Sequence, residues 1–271
     1  MTRDGQAGVS LLNVLAVLAV GTGLVQVMLR DQDVALQRLD RASSAAQAVA
    51  LARSGATSVA VALRRDFSDA PQSDHLGEAW AKAAQAQIAL DFGEFAVSVE
   101  DARGKFDLNA LQPTALAEQR VFATLLTALD LPEVLANQIT RIVTQHGPLR
   151  GPEALLRFGI AESDARRLAP HVTATPFRGP LNLNAVTEPL MSALVRNPSA
   201  ARGLVARRSA KGFLEPGDLA ALGVAQPTLA GFTSDVFDVT TVATVGKARA
   251  VLVRRLFRDS DTGTVRNTGL H

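Results

Sequence analysis

Apolar residues run almost unbroken from Val9 to Leu29, and no charged side chain occurs between Gly5 and Leu29. A helix of about 20 such residues spans the hydrocarbon core of a bilayer. The helical period continues beyond it. Leu36, Leu39, Ala42, Ala46, Val49, Ala52, Ala56, Val59 and Leu63 recur at spacings of three and four, and no proline precedes Pro71. That stripe predicts one amphipathic continuation of the same helix. A single helix over about 9–65 would be roughly 80 Å long at 1.5 Å per residue, with 9–29 in the membrane and 30–65 protruding. The run ends in Gln26-Val27-Met28-Leu29-Arg30, which lacks the small-x-small site of an ordinary cleaved signal. Arg3 and Arg30 flank it on either side, so the basic bias that orients a span is weak.

The pattern changes after Arg65. Asp66 to Asp74 is polar and reads as a loop, and Glu78 to Gln87 as a short helix around Trp80. Phe95, Val97 and Val99 alternate with polar residues, and so do Phe106 and Leu108. This predicts a hairpin over 93–109 turning at Asp101 to Gly104. Ser234 to Val245 and Lys247 to Arg258 alternate likewise and are rich in β-branched residues, with Gly246 at the turn. Between these hairpins lies a helical stretch that repeats itself. Gly104 to Leu111, "GKFDLNAL", returns as "GPLNLNAV", Gly179 to Val186. Gly147 to Ile160 aligns with Lys211 to Val224, pairing Leu149 with Phe213, Pro152 with Pro216, Leu155 with Leu219 and Gly159 with Gly223. Each copy reads as an Asn-initiated helix, a second helix, a third begun by proline and a glycine stop. The fold class is therefore α+β: a long N-terminal helix on a small antiparallel sheet, with a large all-α insertion containing a duplicated unit.

Composition narrows the chemistry. The chain has 271 residues, is 47% apolar with 4% aromatics, and has one Trp, no Tyr and no Cys. Ala, Val and Leu must do most of the packing, and disulfides, thiolate metal sites and a Cys nucleophile are excluded. The four histidines are His75, His146, His171 and His271, and none lies four residues from another, so no helical zinc pair is visible. No Gly-x-Ser-x-Gly elbow, Walker loop or dinucleotide fingerprint occurs. The chain reads as a protein without catalysis.

A short polar leader (Met1 to Ala7), then Gly8, then an apolar helix continuing as an amphipathic one, resembles the type IV pilin and pseudopilin class. The resemblance implies a leader of residues 1–8, cut between Gly8 and Val9 by a prepilin peptidase on the cytoplasmic side. Most members carry a glutamate five residues after the cut, thought to pair with the amino group of the subunit above; here that position is Asn13. A buried, unpartnered carboxylate is costly in lipid, and a subunit at the filament tip has no neighbour above it. The K-type minor pseudopilins of type II secretion typically lack the glutamate. They also carry a large helical insertion and a G-K-hydrophobic-x-L-N strand end, matched here by Gly104, Lys105, Phe106, Leu108 and Asn109. The resemblance divides the chain into leader 1–8, membrane helix 9–29, protruding helix 30–65, first pilin-like part 66–109, helical insertion 110–232 and closing strands 233–271. It implies minor pseudopilins of the I and J types, prepilin peptidase and the inner membrane as partners, with the body in the periplasm. The function implied is a pseudopilus tip that assists initiation of assembly and export of folded proteins. No cofactor is expected; calcium occurs in the family, but no ligands can be transferred.

Two other readings stand beside this one. A minor pilin of a type IV pilus or DNA-uptake filament would share the leader, although Asn13 and the duplicated insertion count against it. A membrane-anchored helix-hairpin-helix DNA-binding protein is suggested by Phe158 to Val172. Its Gly-hydrophobic-Gly hairpin is replaced by Gly159-Ile160-Ala161 and Gly223-Val224-Ala225. Arg150, Arg157, Arg166, Arg167, Arg202, Arg207, Arg208 and Lys211 could serve phosphate, but Glu153, Glu162, Asp164, Glu215 and Asp218 are interleaved and the net charge is only +2. No nucleic acid is expected.

Overall fold

The computed structural model describes the backbone of residues 4–83 and 85–269 and the side chains of 13–83 and 88–269. One helix, α1 (Asp4–Asp69), runs 66 residues without a break, roughly 100 Å at 1.5 Å per residue. Gly21 and Gly23 lie inside it without interrupting it, and the intervening Thr22 hydroxyl donates to the Leu18 carbonyl at 2.8 Å. Only the last third touches the body. Ala48, Ala52, Ala56, Val59 and Leu63 are buried there, whereas every described residue from Asn13 to Ala42 is exposed. The predicted stripe is thus met by the sheet from Ala52 to Leu63. At Gly55 the helix comes so close that a Cβ would collide with the Thr241 side chain.

After α1 come a single helical turn, α2 (Ala79–Lys82), and strands β1 (Gln85–Leu90) and β2 (Gly93–Asp101). The helical insertion follows. It consists of β3 (Phe106–Asp107), α3 (Leu116–Ala128), α4 (Val134–His146), a 3-10 turn over Pro152–Phe158, α5 (Glu162–Leu168) and β4 (Val172–Thr173), then β5 (Leu181–Asn182), α6 (Glu188–Val195), α7 (Pro198–Lys211), α8 (Pro216–Ala221) and β6 (Ala230–Gly231). Strands β7 (Val236–Val245), β8 (Ala248–Arg258) and β9 (Val265–Asn267) close the fold. The main sheet has order β1-β2-β7-β8-β9 and is antiparallel throughout. β2 pairs with β7 so that Asp101 faces Phe237. The insertion therefore leaves and re-enters the sheet at neighbouring points, which lets it pack a core of its own. That core is built on Phe106, Phe122, Leu125, Ile139, Leu190 and Leu204. A separate core of Val59, Leu63, Trp80, Val97, Phe237 and Leu256 joins α1 to the sheet.

The hairpin of 234–258 forms as read, with Gly246 at its turn. The one over 93–109 does not. Asp101 accepts the Arg103 amide at 2.8 Å and starts a 3-10 turn, which ends the strand. β3 then leaves the sheet to pair in parallel with β4. The hairpin partner of β2 is β1 instead. Helix around Trp80 is confined to α2, because the edge of β2 recruits the residues that follow it.

The duplication is structural. β3 pairs in parallel with β4, and β5 with β6, so each copy is closed by the same two-residue bridge. Asn109 and Asn184 do not start helices. Asn109 Oδ1 accepts the Leu149 amide at 2.7 Å, and Asn184 Oδ1 accepts the Leu214 amide at 2.6 Å. The partner of Leu149 is thus Leu214 rather than Phe213; with the caps Gly151 and Glu215 aligned, the first copy has one more residue before its proline, namely Arg150. Gly159 and Gly223 both stop their helices at positive φ, 80° and 66°, where glycine avoids the Cβ penalty.

Candidate functional site at the anchor and the domain junction

From Asn13 to Leu29, α1 presents an apolar surface that no other described residue covers. Val17 is 72% exposed and Val20 64%, and the helix is long and apolar enough to cross a membrane. Burying such side chains contributes about 1.5–3 kcal/mol each, so this segment demands lipid or partner helices. Asn13 sits at its start and is exposed in the single chain. Gly8 and Val9 lie within the helical backbone of α1, and their side-chain surroundings fall outside the described residues.

Below the exposed segment, two arginines fasten the sheet to the insertion, and a third, Arg258, fastens it to the end of α1 and the loop that follows. Arg103, from the turn after β2, pairs with Asp235 at 2.5 and 3.0 Å and donates to the Phe177 carbonyl at 3.2 Å. Arg255 on β8 pairs with Asp238 at 2.7 Å through two nitrogens. It also donates to the Ala174 carbonyl at 2.6 Å and to the Thr173 hydroxyl at 3.3 Å. Arg258 donates to both oxygens of Asp74 at 2.5 Å and to the Ser234 carbonyl at 2.7 Å, and reaches Asp66 at 3.4 Å. Paired, forked guanidinium contacts of this kind fix orientation as well as position.

Around Arg258 lies a buried acidic node. Asp74 accepts the Ser234 amide at 2.7 Å. The Asp101 carboxylate accepts from the Ser234 hydroxyl at 2.5 Å and from the Asn182 amide at 2.8 Å. Asn182 also donates to the Asp74 carbonyl at 2.9 Å. Burial, then the neighbouring Glu78 and Asp74, push Asp66 up to about 7. Burial pushes Asp101 up to about 6 and raises Asp74 and Glu78 as well. None of these contacts was foreseen from the sequence, which placed Asp66 and Asp74 in a solvated loop.

Two of the histidines stack on phenylalanine rings. His75 stacks on Phe213 with ring centres 4.7 Å apart, and His146, the last residue of α4, stacks on Phe158 at 4.5 Å. His171 Nδ1 lies 2.7 Å from the Thr187 hydroxyl; His271 falls outside the described residues. The basic residues near the hairpins are largely committed within the insertion. Arg166 pairs with Glu162 at 2.5 Å, Arg207 with Asp218 at 3.4 Å and Lys211 with Glu215 at 2.7 Å. Arg208 donates to the Leu183 and Val186 carbonyls at 2.8 Å each. Among the described residues, no helix follows Gly223 before β6, so the second hairpin lacks the helix that α5 supplies to the first.

A long apolar helix docked by its far end on an antiparallel sheet is the pilin-like architecture, here with a helical domain threaded between β2 and β7. No family model matches the chain. It is 30% identical over 302 residues to the type II secretion system protein K of Pseudomonas aeruginosa, an alignment covering 96% of this chain and 91% of the relative. The chain belongs to the type II secretion system protein K family, the minor pseudopilins of type II secretion. The protein of the same name from Klebsiella pneumoniae is 29% identical over 142 residues, 50% of this chain and 43% of that one. A chain in the crystal structure of the GspK-GspI-GspJ complex from the enterotoxigenic Escherichia coli type 2 secretion system has the same fold. Its TM-score is 0.65 at 18% identity, covering 86% of this chain and 98% of that one.

Proposed function

We propose that this chain is processed between Gly8 and Val9 and enters the tip of a type II secretion pseudopilus, its helix in the inner membrane and its body in the periplasm. There it assists initiation of assembly beside minor pseudopilins of the I and J types. The reading rests on one observation above the others: a continuous helix whose apolar half is bare while its far end is built into a folded body. Such a helix can pass from lipid to a bundle of like helices without refolding the body below. The neutral Asn13 amide suits a subunit with no neighbour above it, because it needs no amino group to balance a charge. The Arg103 and Arg255 clamps between sheet and insertion support a rigid cap, and a bulky cap leaves no room for a further subunit on top.

The decisive experiment is the intact mass of the full-length chain expressed with and without an active prepilin peptidase. Loss of Met1 through Gly8 is expected only with the peptidase. An uncut chain beside a processed control pseudopilin would sink the reading.

A further inference from the structure

The acidic node has the makings of a cation site. Carboxylate oxygens of Asp66, Asp74 and Glu78 lie within 4.8 Å of one another, and hard cations such as calcium favour oxygen donors of this kind. One of those oxygens, Glu78 Oε1, is buried without a hydrogen bond; His75 Nε2 lies 3.4 Å away, on a ring whose burial favours the neutral form. The chain already supplies a cation, however. The two Asp74 oxygens, which a metal would need, are both held by Arg258 Nη2 at 2.5 Å. Asp74 Oδ2 accepts the Ser234 amide as well. The guanidinium cannot swing away cheaply: Arg258 is 4% exposed and lies between the Phe67 and Phe237 rings, 5.7 and 5.3 Å from their centres. A divalent ion beside it would face an unscreened like charge.

We infer that the cation of this node is the Arg258 guanidinium, supplied from within the chain, and that the junction holds without a divalent cation. The donor set therefore does not fit a calcium site, although calcium would suit the carboxylates taken alone. Burial reduces the charge further by favouring the protonated form of the carboxylates: it pushes Asp66 up to about 7 and raises Asp74 and Glu78. The other titratable groups around it are Glu78, the His75 ring, which burial holds towards neutral, and Lys82 on the loop and α2 side, Asp101 at the end of β2, and the Arg103–Asp235 pair, which balances itself.

Trp80 makes the inference testable. It is the single tryptophan, fully buried, and its Nε1 donates to Glu78 Oε2 at 2.7 Å. Thermal unfolding of the full-length protein in detergent, followed by Trp80 emission, should give the same midpoint in chelator and in millimolar calcium. Terbium, a calcium surrogate excited through a nearby indole, should give no Trp80-sensitised emission. Arg258→Met should lower the midpoint by several degrees and make it rise again with calcium, because the carboxylates are then free to take the ion. Arg258→Lys, which keeps the charge and loses the fork, should lie between the two and ignore calcium. A wild-type midpoint lowered by chelator, or terbium emission displaced by calcium, would overturn the inference. The two wild-type measurements stand whether or not Arg258→Met folds.

Discussion

The two copies of the helical unit share a scaffold and diverge in their bonding at one polar position of its root. Asp107 in the first and Asn182 in the second occupy equivalent ends of β3 and β5, and each accepts an amide two residues on, at 3.0 and 2.9 Å. Their remaining bonds diverge. Asp107 turns into its own copy and accepts from the Thr175 amide and hydroxyl at 3.1 and 3.0 Å. Asn182 turns outward and donates to the Asp74 carbonyl, the Asp101 carboxylate and the Ser234 hydroxyl. An ionised carboxylate can only accept, whereas an amide also donates. The first copy is thereby closed on itself, and the second is fastened to the sheet that carries the anchor.

Exchanging the two side chains breaks that division most severely. Asn182→Asp removes the donor and adds a carboxylate to a site already holding Asp74 and Asp101. A buried charge without a partner destabilises by about 3–5 kcal/mol. Asp107→Asn keeps the acceptor oxygen for Asn109 or Thr175 and should lose less than about 1.5 kcal/mol. Urea unfolding of the two variants, followed by Trp80 emission, checks the contrast. Equal losses would mean that the outward turn of Asn182 carries no special weight.

Removing the shared asparagines sharpens the comparison from the other side. Asn109→Ala and Asn184→Ala each strand one leucine amide, Leu149 or Leu214, at about 1–3 kcal/mol. The second loss should be the larger, because Asn184 is 5% exposed and Leu214 fully buried, while Asn109 is half-buried. Hydrogen exchange at the two leucine amides should rank the same way.

How much of this could be read from the chain alone follows from what periodicity records. The long helix and the β7–β8 hairpin were legible because Ala52 to Leu63 and Val236 to Val253 repeat at 3.6 and 2 residues. The duplication was legible through the paired Leu-Asn strand ends, but its register slipped by one. A sequence alignment cannot see that Leu149 and Leu214 hang from equivalent asparagines. β1 was missed because Gln85 to Leu90 is a strand only by virtue of its partner. The node was invisible for a plainer reason: Arg258 lies 184 residues from Asp74 and 192 from Asp66, in stretches with no shared pattern. The roles of Gly8, Val9 and Asn13 came from resemblance, since no spacing in the chain marks them.

The smallest expected effect is a pH dependence that sets the sheet-side node apart from the first copy. Asp66 is held at about 7 and Asp101 at about 6 in the folded chain, against roughly 3.9 for an unstructured aspartate. The folded state therefore binds more protons than the unfolded state between these values. The stability these groups contribute is complete below about pH 4 and is lost as pH rises through 6 and 7. Asp66→Asn should remove much of that slope and stabilise the protein at pH 8, by an amount on the order of 1 kcal/mol once the competing pull of Arg258 is allowed for. The check is the unfolding midpoint of wild type and variant between pH 5 and 8, both at one ionic strength. Parallel curves would show that Asp66 is ionised throughout, its charge already met by Arg258. Converging curves at low pH would place the proton on Asp66, so that the sheet-side node answers to pH in this range.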